Sequence, residues 1–161
     1  MVAGSFTHET TSSVAPDRLW KAAILDHELI PKLCAEQIAS LELLEGDGGV
    51  GTITKLTLTP AANAPFSYVK EKVDVLDHEN KVYKYSSVEG GLLGVRFNSC
   101  SFEIKFAPSH EGGTIGKLTC HYDTTDDTPV GEEEKGQILT GLLGMLNAVE
   151  AYLVANPTAF A

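Results

Sequence analysis

A chain of 161 residues with 43% apolar and 21% charged side chains has material for one substantial core and is short for several domains. Its formal charge of −10 argues against general affinity for nucleic-acid phosphates or anionic membranes. The three cysteines, Cys34, Cys100 and Cys120, cannot all pair within one chain and form no Cys-x-x-Cys, so reduced intracellular thiols are expected.

The N-terminus has no basic segment followed by an apolar one, so no secretory signal is expected and a cytoplasmic location is. No run of 18 apolar residues occurs, and no membrane span is expected. Residues 4–12 read as a first strand, ended by Ser13-Val14-Ala15-Pro16. Leu19, Trp20, Ala23 and Ile24 then repeat at helical spacing as far as Asp26-His27. A second short helix is predicted over 28–35, where Pro31 fits only a first turn.

From there the pattern is strand-like, in segments 38–45, 52–59, 66–75, 79–88, 95–106 and 113–122 divided by turn signals. The first divider is the most distinctive stretch of the chain: Gly46, Asp47, Gly48, Gly49 and Gly51 within Glu45-Gly46-Asp47-Gly48-Gly49-Val50-Gly51-Thr52-Ile53. A phosphate cradle needs a Gly-Lys-Ser/Thr ending and a helix after it, whereas Thr52–Leu58 alternates as a strand. The glycines are therefore expected to shape a hairpin.

The last third changes period. Ile138, Leu142, Met145, Leu146, Val149, Tyr152 and Leu153 recur at three and four residues, which predicts a long amphipathic helix over about 130–154, ended by Asn156-Pro157. Gly136, Gly141 and Gly144 lie inside it. They mark either close contact with a sheet or, at Gly141 beside Ile138 and Met145, deliberately open space. The fold class is α+β: a seven-stranded curved antiparallel sheet wrapped around a long C-terminal helix, with two short helices after the first strand. Antiparallel meandering strands fit the regular spacing.

The chain resembles the plant class-10 pathogenesis-related proteins, the family of the major birch pollen allergen, and within it the monocot members. The resemblance covers essentially the whole length. Its most specific marker is the 45–53 loop, against a family pattern of Glu-Gly-Asn-Gly-Gly-Pro-Gly-Thr-Ile. Arg18-Leu19-Trp20-Lys21-Ala22, Pro31-Lys32, Pro65-Phe66-Ser67-Tyr68-Val69-Lys70-Glu71, Val88-Glu89-Gly90-Gly91 and Val149-Glu150-Ala151-Tyr152-Leu153-Val154-Ala155-Asn156-Pro157 support it. The resemblance implies a helix-grip fold, similar to START domains, around a large apolar cavity. It also implies loose binding of small hydrophobic ligands such as cytokinins, sterols, flavonoids and fatty acids, in defence or stress. No cofactor is implied, and a monomer is expected.

A curved sheet turns alternate side chains inward, so the apolar phase of each strand should line such a cavity. The expected lining is Ile38, Leu56, Leu58, Phe66, Tyr68, Tyr83, Tyr85, Cys100 and Phe102, of which the resemblance supplies Phe66, Tyr68, Tyr83, Tyr85 and Phe102. Helix residues Ile138, Gly141, Leu142 and Met145 complete it, with Leu29 and Ile30 at a mouth. Buried tyrosine hydroxyls need partners, which water or a polar ligand group supplies. Thr119 and His121 share one face of the last strand, and an inward His121 would be a base beside the cavity.

Catalysis has less support. The five histidines lack metal spacing, so no metal is expected. The family's ribonuclease proposal carries over onto Lys55, Glu150 and Tyr152, but Asn98 stands where a strand glutamate is required, and Glu150 and Tyr152 cannot share a helix face. The related abscisic-acid receptors need a Ser-Gly-Leu-Pro-Ala gate, and this chain has Glu89-Gly90-Gly91-Leu92-Leu93. A biosynthetic enzyme working in the same cavity is the other alternative, since an enclosed space orients reactants with few catalytic groups.

Overall fold

The computed structural model describes all residues, Met1–Ala161. Strand β1 (Ala3–Ser12) runs into the helical turn α1 (Pro16–Leu19), whose first residue is a proline preset for that position. The turn widens into a π-type segment, Trp20–Leu25, and a short helix α2 (Leu29–Leu33) follows. Asp26 accepts hydrogen bonds from the amides of Glu28 and Leu29, so its carboxylate starts α2. The remaining strands are β2 (Ile38–Glu45), β3 (Ile53–Leu58), β4 (Tyr68–Asp77), β5 (Val82–Gly90), β6 (Phe97–Pro108) and β7 (Thr114–Thr124), and α3 (Glu132–Ala155) closes the fold.

The seven strands form one curved antiparallel sheet in the order β1-β7-β6-β5-β4-β3-β2, the α+β arrangement expected. Six pairs of sequence neighbours or chain ends meet edge to edge, and only β1 departs from a meander by joining β7. Bulges at Val88 and Asp74 break the register between β4 and β5. They re-aim the side chains that follow and add curvature where the sheet must bend.

The main core lies where the short helical segments meet one end of the sheet: Trp20, Ala22, Ile24 and Leu29 pack with Ile104, Phe106 and Leu118, and with Leu142, Val149 and Leu153 of α3. A second cluster, Phe97, Cys100, Cys120 and Val130, sits near the start of α3 and receives Ile138.

Two arginines fix the ends of α3. Arg18 donates to the carbonyls of Leu153, Asn156 and Ala159 at 2.8–3.1 Å, occupying acceptors that the helix end leaves open. Arg96 grips Glu134 in the first turn with two bonds, 2.6 and 3.0 Å, and holds the carbonyls of Thr128 and Pro129. The paired charge keeps the Glu134 carboxyl below its usual range.

The helix glycines correct one of the two sequence readings. A methyl built on Gly136, Gly141 or Gly144 meets no atom within 4 Å, so none marks close packing on the sheet. An 18-residue window of α3 reaches a mean hydropathy of 1.6, a composition that helices packed on the core of a globular protein also reach.

Candidate ligand-binding interior

Registers fix which side chains face α3. Tyr85 packs against the main core and pairs with Val73 of β4, so Val73, Glu71 and Val69 share the inward face. Val69 pairs with Leu56 and Glu71 with Thr54, and Leu41 and Leu43 follow across β2. On the other side, Phe102 pairs with Cys120 and Ile104 with Leu118, which makes Cys100, Phe102, Ile104, Leu118 and Cys120 inward.

An aromatic wall runs across the middle of this face. Tyr83 and Tyr85 have ring centroids 5.1 Å apart, and Tyr85 stacks on Phe102 at 5.4 Å and 22°. Glu71 stands beside it. Burial pushes its carboxyl up to about 7. Burial first, and then the charge of Glu71, raise the hydroxyls of Tyr83 and Tyr85. None of these three side chains hydrogen-bonds to the protein, and no buried side-chain polar atom is sealed off without a partner. Glu71 and the two tyrosines are deep yet keep reachable surface. Their polar ends therefore face open space inside the fold.

Across that space stands α3. Its nearest backbone neighbours are α1, α2 and the Trp20–Leu25 segment rather than the strands. Met145 and Tyr152 are half-buried, and Leu142 is packed into the core. A recess of about 370 Å³ lies at the connection from β3 to β4, lined by Leu58, Thr59, Pro60, Ala64, Pro65, Phe66 and Ser67. A second crevice, between β1, β7 and α3, holds about 20 Å³, room for one water.

Several residues stand elsewhere than expected. Tyr68 is on the outer face: it donates to Glu89 at 3.0 Å, and Lys55 lies over its ring at 5.0 Å. That bond to Glu89 raises the Tyr68 hydroxyl. The reason is phase, because β4 begins at Tyr68 and its apolar alternation is Val69, Val73 and, past the bulge, Leu76. His121 and Thr119 are also outward; His121 is exposed and Thr119 meets Thr7 at 3.2 Å, while Cys120 and Tyr122 take the inward phase. Leu29 and Ile38 are buried at 7% and 4% exposure, so they pack in the protein body, and Ile30 lies against the main core. Gly141 is exposed and borders open space. Ile138 covers the second cluster and Cys100 lies within it.

The residues of the ribonuclease reading are not brought together. Lys55 is outside the sheet, Glu150 borders the small crevice beside β1, and Tyr152 points roughly 200° around the helix from Glu150. The amides of three loop glycines are already engaged within the protein. The amide of Gly48 donates to Thr52 Oγ1 at 2.9 Å, that of Gly49 to Asp47 at 3.2 Å, and that of Gly51 to the Val73 carbonyl at 2.8 Å. Gly46, Gly48 and Gly51 have φ of 87°, 111° and 90°, and a methyl on Gly48 would lie 2.7 Å from His27 Nε2.

Glu71 was missed by sequence reading. The available signal was a carboxylate centred in Val69-x-Glu71-x-Val73, where an outward strand face would carry it and an apolar phase would not.

A seven-stranded sheet gripping a long helix, with an aromatic and partly polar interior between them, defines a helix-grip protein. The profile described as the "Pathogenesis-related protein Bet v 1 family" matches residues 1–156, and the chain belongs to that family. It is 42% identical over 161 residues to Pathogenesis-related protein 1 of Asparagus officinalis, covering 99% of each chain. Among solved structures it is similar to Ara h 8.0201, with a TM-score of 0.81, 32% identity and coverage of 96% of this chain and 100% of that one. Norcoclaurine synthase from Thalictrum flavum gives a TM-score of 0.80 at 26% identity, with coverage of 95% and 87%.

Proposed function

We propose that this protein binds and buffers small hydrophobic metabolites or hormones within the space between sheet and α3, as an intracellular component of plant defence or stress response. One observation carries the reading: the polar ends of Glu71, Tyr83 and Tyr85 are deep and unpartnered by protein, yet reachable. An apolar enclosure with a few convergent polar groups is the chemistry of a small-molecule site.

The wall selects for shape and polarity. Tyr85 and Phe102 offer a flat stacking surface, and Glu71 with the tyrosines offers donors and acceptors at one edge. A planar or ring-containing molecule with one polar edge fits, which includes cytokinins, flavonoids and sterols. Apolar contacts discriminate weakly between similar shapes, so several ligands of this kind should compete. The recess at Leu58 and Phe66 is the mouth in this reading. The net charge of −10 gives nucleic acid no general foothold, and a monomer suffices because the interior is built from one chain.

Displacement of a fluorescent apolar probe tests the proposal. Bound probe should be released by planar aromatic ligands, and exclusion of the probe from the folded protein would refute it. Mass spectrometry of molecules co-purified from native tissue then names the ligand. The second reading, a biosynthetic enzyme, is favoured by the likeness to norcoclaurine synthase and by a carboxyl that titrates near neutrality inside the cavity. Turnover of a displaced ligand, lost in Glu71→Gln, would support it over simple binding.

A further inference from the structure

We propose that the interior selects organic cations: an aromatic ammonium compound seats its charged head between Glu71 and the Tyr83–Tyr85–Phe102 wall, and an anion of the same shape is turned away. The inference deepens the binding role and rests on it. Register is the first support. Glu71 lies between Val69 and Val73 in the inward phase of β4, and those two neighbours are only 7% and 3% exposed. Val73 pairs with Tyr85, and Tyr85 with Phe102, so the carboxyl stands one inward step along β4 from the aromatic row.

The second support is that no positive charge of the protein reaches it. Lys70 pairs with Glu89 at 2.9 Å, Lys81 with Asp17 at 2.8 Å and Lys135 with Glu132 at 3.0 Å. Lys55 lies over Tyr68 outside the sheet, and Arg18 and Arg96 hold the ends of α3. Lys72, next in sequence to Glu71, is exposed and takes the outward phase. The titratable groups around Glu71 are Tyr83 and Tyr85 from β5 and Cys100 and Cys120 from β6 and β7, while α3 brings Tyr152 across the space. Thr54 opposes it on β3, and Asp74 at the β4 bulge adds only negative charge. None of these side chains becomes a cation.

A lone carboxyl beside an apolar wall has two ways to be satisfied. It keeps its proton, which burial favours, or it meets a cation carried by the guest. Electron-rich ring faces attract the same cation, so Tyr83, Tyr85 and Phe102 reinforce the carboxylate. A guest carboxylate meets the opposite conditions: repulsion from Glu71 and no protein cation to offset it. Neutral guests bind while Glu71 stays protonated. Linkage then sets a direction in pH. The Glu71 carboxyl, raised by burial to about 7, is protonated at pH 5.5 and must release that proton to receive a cation. Affinity for a permanent cation should therefore fall about thirtyfold from pH 8 to pH 5.5, following the ionised fraction.

The test uses the full chain and displacement of an uncharged probe, N-phenyl-1-naphthylamine, by three compounds of one shape. They are 2-phenylethyl-trimethylammonium, its carbon isostere (3,3-dimethylbutyl)benzene, and 3-phenylpropionate. At pH 8 the cation should bind at least about tenfold more tightly than the isostere, and the anion most weakly. The cation's advantage should shrink towards pH 5.5, while the isostere shows no such loss. Calorimetry at pH 6 in two buffers of different ionisation heat should find close to one proton released per cation bound. In Glu71→Gln the cation and the isostere should bind alike, with no proton released. A cation no tighter than its isostere at pH 8, a preference independent of pH, or a preference that survives in Glu71→Gln would overturn the proposal. Displacement by the isostere without any cation advantage removes the charge selectivity alone, whereas exclusion of probe and isostere together removes the binding space as well. The wild-type comparison and the proton count decide the matter even where the variant does not fold.

Discussion

Glu71→Gln should stabilise the protein at neutral pH, an unusual result for removing a charge. The carboxyl is raised from 4.5 to about 7 by burial. At about 1.4 kcal/mol per unit, the folded state is penalised by about 3 kcal/mol once the unfolded chain is ionised. The sign follows from the raised value. Below 4.5 both states hold the proton and no penalty exists. As pH rises towards 7 the unfolded state releases it first, stability is lost, and above about 7 the loss levels off. Tyr83, Tyr85 and Cys100 face the carboxyl, and none of them brings a positive charge to relieve it. Glutamine keeps the shape and the hydrogen-bonding capacity without ionising. Thermal melts should therefore give the variant a gain of roughly 6–12 °C at pH 8 and none at pH 4. Equal melting temperatures for the two proteins at both pH values would refute the burial of Glu71 and with it the inward phase of β4.

Tyr85→Ala should weaken apolar-probe binding by about tenfold by removing the stacking wall, whereas His121→Ala and Tyr68→Ala, both on the outer face, should leave the probe titration unchanged. Arg18→Ala should cost about 2–3 kcal/mol in a urea denaturation and raise amide exchange near residues 153–159, since it opens a charged hydrogen-bond cluster at the end of α3. Glu134→Gln should cost about 1 kcal/mol at pH 7. The Glu134 carboxyl is held low by Arg96, so its contribution is present above 4.5 and fades as pH falls further, and the two proteins should converge near pH 3. Glu150→Gln should leave RNA cleavage by nuclease-free protein unchanged, measured against the wild type on a labelled RNA.

Element order and topology were legible because their signals are local. Alternation, glycine and proline breaks, and a three-and-four repeat over Ile138–Leu153 mark strands and helix without reference to anything distant. The facing of β4 and β7 was not legible to the same depth. Tyr68 looked inward because aromatics favour cores, but on the outer face it finds Glu89 and Lys55, both supplied by neighbouring strands. His121 and Cys120 differ only in phase, and the phase of β7 is decided by its pairing with Phe102 and Ile104. Glu71 was hidden for the converse reason: an acidic residue in a strand suggests solvent, and only the register with Tyr85 by way of Val73 turns it inward.

The clamps on α3 have a mechanical corollary. Arg18 and Arg96 grip opposite ends of a rod 24 residues long, and the exposed Gly141 and Gly144 near its midspan border no other part of the protein. Such a rod behaves as a beam on two supports, whose centre flexes while its anchorages hold. In the proposed binding role, guests of unequal girth would be accommodated by bowing rather than by unfastening, and stiffening the span would narrow the range admitted without altering any residue a guest touches.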